Sequence, residues 1–137
     1  MSSFFNGVTN EQLAEVGLLS GLDNTACDKI RERSYFIGAH PGLRIVRRDD
    51  TGFELYIILS GTADVVRDSE VVATLGKGDV FGEMALLGNT HRNADVVATS
   101  VMSMLSMTAA DFRDLSADVP DLEHRIRDLA EKRASAG

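Results

Sequence analysis

The sequence predicts a mainly β fold with α-helices at both ends, and three observations support this prediction. From residue 35 to about residue 107, short runs rich in β-branched and aromatic residues alternate with glycine-containing turns. On both sides of this region, apolar residues recur at helical spacing behind capping residues. The 137 residues are 44% hydrophobic, which suits one globular domain with a core. We therefore expect residues 1–137 to form a single domain.

Two short helices are predicted before the β-rich region. Residues 9–12 fit a capping box, with Val8 as the hydrophobic staple residue. The polar and glycine-containing stretch at residues 20–24 ends the first helix, and a second helix covers about residues 25–33. We interpret Cys27 on this second helix as a small buried hydrophobic residue.

The middle of the chain contains seven candidate strands. They span residues 34–37, 43–47, 54–60, 62–67, 71–75, 96–99 and 101–107. Many short strands joined by turns indicate a sandwich, a barrel or a jelly roll. The last candidate strand contains three methionines, which we interpret as core packing rather than as metal or redox chemistry.

Two further helices are predicted after the strands. Residues 108–111 resemble a capping box, and Pro120 lies in the first turn of the final helix. Leu122, Ile126 and Leu129 recur at positions i, i+4 and i+7, which makes one apolar stripe. Such a helix must bury its stripe on its own domain or on the identical helix of a partner chain, or it must alternate between these two surfaces. A homodimer through this helix is therefore one expectation.

The motif richest in chemistry is FGEMALL at residues 81–87, followed by HRNADV at residues 91–96. Gly82 allows backbone to approach a ligand closely, and the free N–H groups of the short segment that begins at Glu83 can face an anion. Arg92 can donate two parallel, charge-assisted hydrogen bonds to phosphate oxygens. Phosphate would repel the Glu83 carboxylate, which should therefore accept a hydrogen bond from a hydroxyl. The motif indicates a socket for a phosphorylated ligand that also carries a hydroxyl.

At these residues the chain resembles the phosphate-binding cassette of cyclic nucleotide-binding domains. That family includes bacterial catabolite activators, protein kinase A regulatory subunits and cyclic-nucleotide-gated channels. Its cassette reads roughly F-G-E-(aliphatic)-A-L-L, four variable residues, then R-x-A-x-V, and the spacing here matches without gaps. The resemblance covers about residues 13–130. Further matches are Gly42, the turn at residues 50–52, the strand and turn at residues 55–61, and residues 78–79.

The resemblance implies a β jelly roll, or double-stranded β-helix, over about residues 34–107. N-terminal helices would precede it, a short cassette helix would lie within it, and a hinge helix and a lid helix would follow over about residues 108–134. The implied function is a non-catalytic regulatory domain that binds a 3′,5′-cyclic nucleotide, with cAMP favoured and cGMP second. Movement of the C-terminal helices would transmit binding to an effector that the sequence does not identify. The alternative is a degenerate cassette that serves as an interaction or dimerisation scaffold without nucleotide binding.

The resemblance also implies roles for particular residues. Arg92 would neutralise the exocyclic phosphate, Glu83 would accept from the ribose 2′-hydroxyl, and the backbone N–H groups of Ala85, Leu86 and Asn93 would complete the phosphate cage. The expected ligand-binding residues are Gly82, Glu83, Met84, Ala85, Leu86, Arg92, Asn93 and Ala94. A second set, expected to line the sugar and base, is Val72, Val80, Val96 and Arg127.

Three residues depart from the family's pattern. Asn93 stands where serine, threonine or alanine is frequent, and its amide can bond a purine edge through either end, which leaves the base preference open. Asp95 stands where a small or hydroxylated residue is usual, and an inward carboxylate would repel phosphate. Strand alternation from Arg92 favours an outward Asp95. Asp49 replaces a common turn glycine, a change that aspartate tolerates.

Composition makes several classes of protein improbable. A net charge of −7 is unfavourable for general nucleic-acid or anionic-membrane binding. No apolar run approaches the length of a membrane span, and residues 1–10 lack the features of a secretory signal. One cysteine cannot form an intrachain disulfide, which fits a reducing compartment and a cytoplasmic protein.

No catalytic or metal chemistry is predicted. His40, His91 and His124 are widely separated, and the paired H-x-H motif of a metal-dependent jelly-roll enzyme does not occur. The phosphate-loop motif G-x-x-x-x-G-K-[ST] and the βα alternation of a dinucleotide fold do not occur either. We therefore expect a ligand but no cofactor.

Overall fold

The computed structural model describes residues 8–136 and begins with three short helical segments. The predicted domain also includes residues 1–7 and Gly137, which lie outside the described residues. Helix α1 covers Asn10–Ala14, a 3₁₀ helix covers Gly17–Leu19, and helix α2 covers Asn24–Glu32. The predicted capping box is confirmed, since Gln12 N–H donates to the Thr9 hydroxyl at 3.1 Å and Thr9 N–H donates to the Gln12 side chain at 2.9 Å.

Cys27 on α2 is buried, as the sequence predicts for a small apolar residue. Burial also raises the pKa of its thiol, because the charged thiolate is desolvated.

Eight strands follow, one more than predicted. The missed strand contains two residues, which is too few to show an alternating pattern in sequence. A second 3₁₀ helix, the cassette helix Glu83–Leu87, lies directly after this strand. The strands are β1 Tyr35–Ala39, β2 Arg44–Val46, β3 Glu54–Ser60, β4 Ala63–Arg67, β5 Glu70–Leu75, β6 Val80–Phe81, β7 Asp95–Ala98 and β8 Met102–Thr108.

The strands form two antiparallel four-stranded sheets. Their orders are β1-β8-β3-β6 and β2-β7-β4-β5, and most neighbouring strands are distant in sequence. Two such sheets packed face to face make the jelly roll that the sequence resemblance implies. The prediction of a mainly β jelly roll with helices at both ends and a short cassette helix is therefore confirmed.

The first sheet has an apolar core on each of its two faces, because its strands alternate. On β3, Leu55 and Ile57 face the helices, whereas Tyr56 and Ile58 face the second sheet. Strand β8 divides its residues in the same way. Its three predicted core methionines are all buried, with Met102 and Met104 between the sheets and Met107 under the helices.

Two C-terminal helices complete the helical layer. Helix α3, Ala109–Ser116, begins where Asp111 N–H donates to the Thr108 hydroxyl at 3.0 Å. Helix α4, Pro120–Ala136, buries its apolar stripe on the helix-side core. The predicted stripe residues Leu122 and Ile126 are fully buried there, and Leu129 is partly buried. Because the stripe is already covered, a homodimer through it stays a prediction that this conformation does not favour.

Helix α4 is also tied to the N-terminal helices by polar contacts. The Arg125 guanidinium donates to the backbone carbonyls of Leu18 and Ser20, each at 2.7 Å. The Lys77 ammonium, in the turn before β6, pairs with the Glu15 carboxylate at 2.8 Å. The N-terminal helices, the turn that leads into the cassette and the C-terminal helix therefore form one connected layer.

Candidate functional site

The Arg92 guanidinium lies in a socket between two glycines. Its side chain is 9% exposed, which is rare for arginine. A Cβ atom on Gly52 would lie 2.0 Å from Arg92 Nε, and a Cβ atom on Gly82 would lie 3.0 Å from Arg92 Nη1. Gly82 also has φ 82°, which favours glycine. The sequence identified Gly82 but treated Gly52 only as a turn residue.

Backbone hydrogen bonds fix the loop that carries Arg92 against the turn between β2 and β3. Arg92 N–H donates to the Asp50 carbonyl at 2.9 Å, and Asp49 N–H donates to the Arg92 carbonyl at 2.7 Å. Gly52 N–H donates to the Thr90 carbonyl at 2.8 Å. Asp49 has φ 73°, so aspartate tolerates this turn position, as expected from the sequence. The arginine is therefore positioned by its backbone as well as by its socket.

Glu54 is the functional neighbour that sequence reasoning missed. Arg92 Nη2 donates to the Glu54 backbone carbonyl at 2.8 Å and lies 3.6 Å from the carboxylate oxygen Oε2. Glu54 begins β3 and shares a strand face with Tyr56, which points between the sheets. That alternation was visible in the sequence and gives the signal that could have placed Glu54 near the site.

Two aromatic residues form the inter-sheet surface beyond Glu54. The rings of Tyr56 and Phe81 stack with centroids 4.8 Å apart and planes 16° from parallel. Burial raises the pKa of the Tyr56 hydroxyl, the Glu54 charge raises this pKa further, and Arg92 opposes that effect. Tyr56 is therefore in the electric field of both members of the ion pair.

The cassette helix lies beside Arg92 and is framed by Gly82 and Gly88, both with left-handed φ. Glu83 and Ala85 are buried, and Leu86 packs against the helix-side core. The Ala85 N–H, which the resemblance assigns to the phosphate cage, donates to the Gly82 carbonyl at 3.3 Å. A phosphate that bound here would share or replace this hydrogen bond.

The loop after the cassette helix exposes some expected site residues and buries others. In this loop Asn93 is exposed and Ala94 is buried. Met84, which lies in the cassette helix itself, is half-buried, and its carbonyl accepts a hydrogen bond from Asn89 N–H at 3.2 Å. His91 is 62% exposed, with Nε2 3.2 Å from an Asp49 carboxylate oxygen. His91 is therefore a solvent-exposed residue of this loop.

The Asp95 carboxylate has a cationic partner on strand β2 and an N–H partner in the turn that follows it. It accepts from Arg48 N–H at 2.7 Å, and its second oxygen lies 3.8 Å from Arg44 Nε. The next residue, Val96, is buried between the sheets, so Asp95 occupies the opposite face of β7. This placement agrees with the outward orientation expected from the sequence.

The expected sugar and base residues are divided among several places. Val96 lies in the inter-sheet core, and Val72 is half exposed on β5. The Arg127 guanidinium pairs with Glu123 of the same helix at 3.2 Å. Val80 is buried in the helix-side core, so its predicted role beside the sugar and base stays a prediction that this position does not favour. Phe81 takes the inter-sheet face instead, since adjacent strand residues point to opposite faces.

A cavity of about 370 Å³ lies elsewhere, between helix α4, the first 3₁₀ helix and the turn before β6. Its lining includes Leu18, Gly78, Arg125 and Lys132. Because these residues lie outside the Arg92 loop and the cassette helix, we do not assign this cavity to the candidate ligand. Within residues 8–136, no three histidine, cysteine or acidic side chains are grouped as a metal site. No helix in this described part is long and apolar enough to cross a membrane.

Comparison with known proteins identifies the class to which this fold and site correspond. The family model described as "Cyclic nucleotide-binding domain" matches residues 39–118, more than half of the chain. The chain therefore belongs to the cyclic nucleotide-binding domain family. This assignment includes the complete Arg92 loop and cassette helix.

Individual relatives agree with the family. The cAMP-dependent protein kinase regulatory subunit of Schizosaccharomyces pombe is 37% identical over 111 residues, which cover 80% of this chain and 27% of that protein. A structure of the regulatory domain of Toxoplasma gondii PKA with cAMP has a TM-score of 0.76 and 25% identity, covering 99% of this chain and 50% of that one. The regulatory subunit of a cAMP-independent protein kinase A from Trypanosoma brucei has a TM-score of 0.79 and 30% identity, covering 99% and 49%. The chain spans 25–30% of the length of the curated relatives that it matches.

The glycine socket predicts an unequal response to two Gly→Ala substitutions. Gly52→Ala should lower the free energy of unfolding by about 1–3 kcal/mol, because its Cβ would displace the buried Arg92 side chain. Gly76→Ala is the matched control, since its Cβ would meet nothing within 4 Å, and it should be neutral or stabilise by about 0.4–1 kcal/mol. Urea denaturation of both variants measures the difference, and equal stabilities would show that the socket tolerates a methyl group.

Proposed function

We propose that this chain is a regulatory domain that binds a 3′,5′-cyclic nucleotide and has no catalytic activity of its own. The observation that carries this proposal is the nearly buried Arg92 guanidinium, held between Gly52 and Gly82 beside the cassette helix. A fixed guanidinium suits a phosphate group, because it offers charge and several directed N–H donors. Its position within the matched family segment supports a cyclic nucleotide as the ligand.

The residues around Arg92 suit different parts of such a ligand. Arg92 would neutralise the cyclic phosphate, and the buried Glu83 carboxylate would accept from the ribose 2′-hydroxyl. The exposed Asn93, which follows Arg92 directly, would meet the purine edge. Backbone N–H groups of Ala85 and Leu86 at the start of the cassette helix would complete the contacts to phosphate.

We favour cAMP over cGMP as the ligand. The structure of the T. gondii relative contains cAMP, and Asn93 takes the place of the hydroxyl residue that accompanies guanine preference in the family. A second candidate function is a scaffold that does not bind cAMP. The T. brucei relative, described as part of a cAMP-independent kinase, favours keeping this alternative. Direct titration with both nucleotides distinguishes the two functions.

We also propose that helices α3 and α4 transmit binding. The stripe of α4 packs into the same core as Leu86 of the cassette helix, so a shift of the cassette would disturb the packing of α4. Arg125 restrains α4 through the carbonyls of Leu18 and Ser20. A ligand moves this equilibrium only if it binds one arrangement of the helices more tightly than the other.

Substitution of Arg92 should remove most of the phosphate affinity. Arg92→Ala leaves the ligand phosphate without its guanidinium and should cost about 2–5 kcal/mol, which is roughly tens- to thousands-fold in Kd. Glu83→Ala should cost less, about 1.5–3 kcal/mol, the range for a hydrogen bond to a charged group.

Isothermal titration calorimetry with cAMP measures these losses. Arg113→Ala on the exposed surface of α3 serves as the control for loss of one positive charge and should bind like the wild type. Undiminished binding by Arg92→Ala would reject the Arg92 socket as the phosphate site. A wild-type protein that binds neither cAMP nor cGMP would reject the proposed function.

The identity of residue 93 should affect the choice of base. Asn93→Thr supplies the hydroxyl that can meet the guanine amino group and should shift the cAMP:cGMP affinity ratio toward cGMP by about 1 kcal/mol, one ordinary hydrogen bond. Competition titrations with both nucleotides measure the ratio for wild type and variant. A wild type that already prefers cGMP would contradict the proposed role of Asn93.

Removing the contacts that hold α4 should lower the affinity for the ligand, although these contacts lie outside the Arg92 loop and the cassette helix. Arg125→Ala removes two guanidinium donors to backbone carbonyls without changing the Arg92 loop or the cassette helix. If the docked α4 favours the ligand, Kd should rise by about three- to tenfold with a faster off-rate, because a smaller fraction of the protein is competent to bind. Stopped-flow displacement measures the off-rate. The same Kd and off-rate in Arg125→Ala and wild type would count against a transmitting role for α4.

A further inference from the structure

We propose that the Glu54 carboxylate competes with the ligand phosphate for Arg92 and thereby keeps nucleotide affinity below the value that the socket alone would give. This inference rests on the proposed function, because it concerns the affinity of the same site. It assigns Glu54 a role as an affinity-setting residue that need not contact the nucleotide.

The carboxylate and the backbone of Glu54 share one guanidinium nitrogen. Arg92 Nη2 donates to the Glu54 carbonyl at 2.8 Å, and the carboxylate oxygen Oε2 lies 3.6 Å from the same nitrogen. The carbonyl contact is a hydrogen bond of ordinary length, whereas the carboxylate lies at ion-pair distance. Any anion that approaches Arg92 therefore approaches the Glu54 charge as well.

Positioning of Arg92 does not require the carboxylate. The guanidinium is confined by Gly52 and Gly82, and its loop is fixed by backbone bonds to Asp49 and Asp50. The Glu54 carbonyl supplies an acceptor whatever side chain residue 54 carries. The net contribution of the carboxylate to the site is therefore its negative charge.

The charge balance around Arg92 opposes an anion. One guanidinium faces the carboxylate of Glu54, and the buried carboxylate of Glu83 starts the adjacent cassette helix. The cyclic nucleotide offers its phosphate charge to Arg92 and has no cation for Glu54. Binding therefore replaces an internal ion pair and adds repulsion between phosphate and Glu54.

Tyr56, the next inward residue on β3, lies within reach of the Glu54 charge. Glu54 and Tyr56 lie on the same face of β3, and Tyr56 is half-buried and stacks on Phe81. The Glu54 charge raises the pKa of this hydroxyl, while Arg92 acts in the opposite direction. The carboxylate thus acts on the inner surface of the sandwich and not only on solvent.

Substitution Glu54→Gln tests the competition because it removes the charge and keeps the side-chain length and the backbone carbonyl. We expect cAMP to bind about three- to tenfold more tightly, a gain limited by the 43% exposure of the Glu54 side chain. The gain should shrink as ionic strength rises from about 0.05 M to about 0.5 M, where charges are screened over a few ångströms. Glu32→Gln removes the same charge from the exposed surface of α2 and should leave Kd unchanged.

A second measurement checks that Glu54→Gln acts through the site. In a Tyr35→Phe background, which leaves Tyr56 as the single tyrosine, ultraviolet titration should show a lower Tyr56 pKa after Glu54→Gln. Glu54→Ala should also bind cAMP more tightly. Because alanine has no amide group, this result would show that the gain does not come from new hydrogen bonds made by glutamine. Thermal unfolding of each variant verifies that the measured protein is folded.

The outcomes separate this inference from the proposed function. A wild type and a Glu54→Gln variant that both fail to bind any cyclic nucleotide reject the proposed function and this inference with it. A wild type that binds, with equal or weaker binding by both Glu54 variants, overturns the competition and leaves the proposed function standing. Binding by the Glu54 variants alone supports the competition at Arg92 but rejects cyclic nucleotide binding as the function of the wild-type chain.

Discussion

The buried Arg92 guanidinium is the constraint on which the rest of the site depends. It fills the space left by two missing side chains, at Gly52 and Gly82, and it donates to the backbone of Glu54. These three residues belong to the turn before β3, to β3 itself and to the entrance of the cassette helix. One side chain therefore fixes the relative positions of three segments that are up to 30 residues apart in sequence. A charge so placed serves the fold in the absence of ligand and remains available to an anion.

The helical layer places the cassette between two rigid supports. On one side, strand β6 anchors it through Val80 in the helix-side core and Phe81 between the sheets. On the other side, Leu86 packs into the core that also holds the stripe of α4. Because protein interiors are close-packed, a shift of the cassette cannot be absorbed locally and must displace its neighbours. Under the proposed function, the same packing that stabilises the domain would connect the Arg92 socket to the C-terminal helix.

The sequence predicted the fold class, the cassette and the central arginine because each has a local signal: alternating strands, glycine turns, and fixed spacing between Glu83 and Arg92. Sequence reasoning failed where the answer depended on which face of a strand a residue occupies, or on tertiary contacts. Strand β6 has two residues, too few to show in sequence that Val80 faces the helices and Phe81 faces the second sheet. Gly52 carries no motif of its own, and its importance appears only when the chain brings the Arg92 loop beside it. Strand alternation could have placed Glu54 on the same face as Tyr56, but its contact with Arg92 depends on the fold. The orientation of Asp95, by contrast, followed from strand alternation and agrees with its partners Arg44 on β2 and Arg48 in the next turn.

The electrostatic design of the site differs from that of a site built for the tightest binding. The chain carries a net charge of −7, Glu54 lies at ion-pair distance from Arg92, and the buried Glu83 begins the adjacent cassette helix. An arginine buried without an internal counter-charge would bind phosphate more strongly, but it would destabilise the empty domain, because an unpaired buried charge costs several kcal/mol. Glu54 relieves that cost in the empty domain and lowers the affinity in the same step. A regulatory domain must also release its ligand when the ligand concentration falls. An internal counter-charge that stabilises the empty state and limits affinity satisfies both requirements with one side chain.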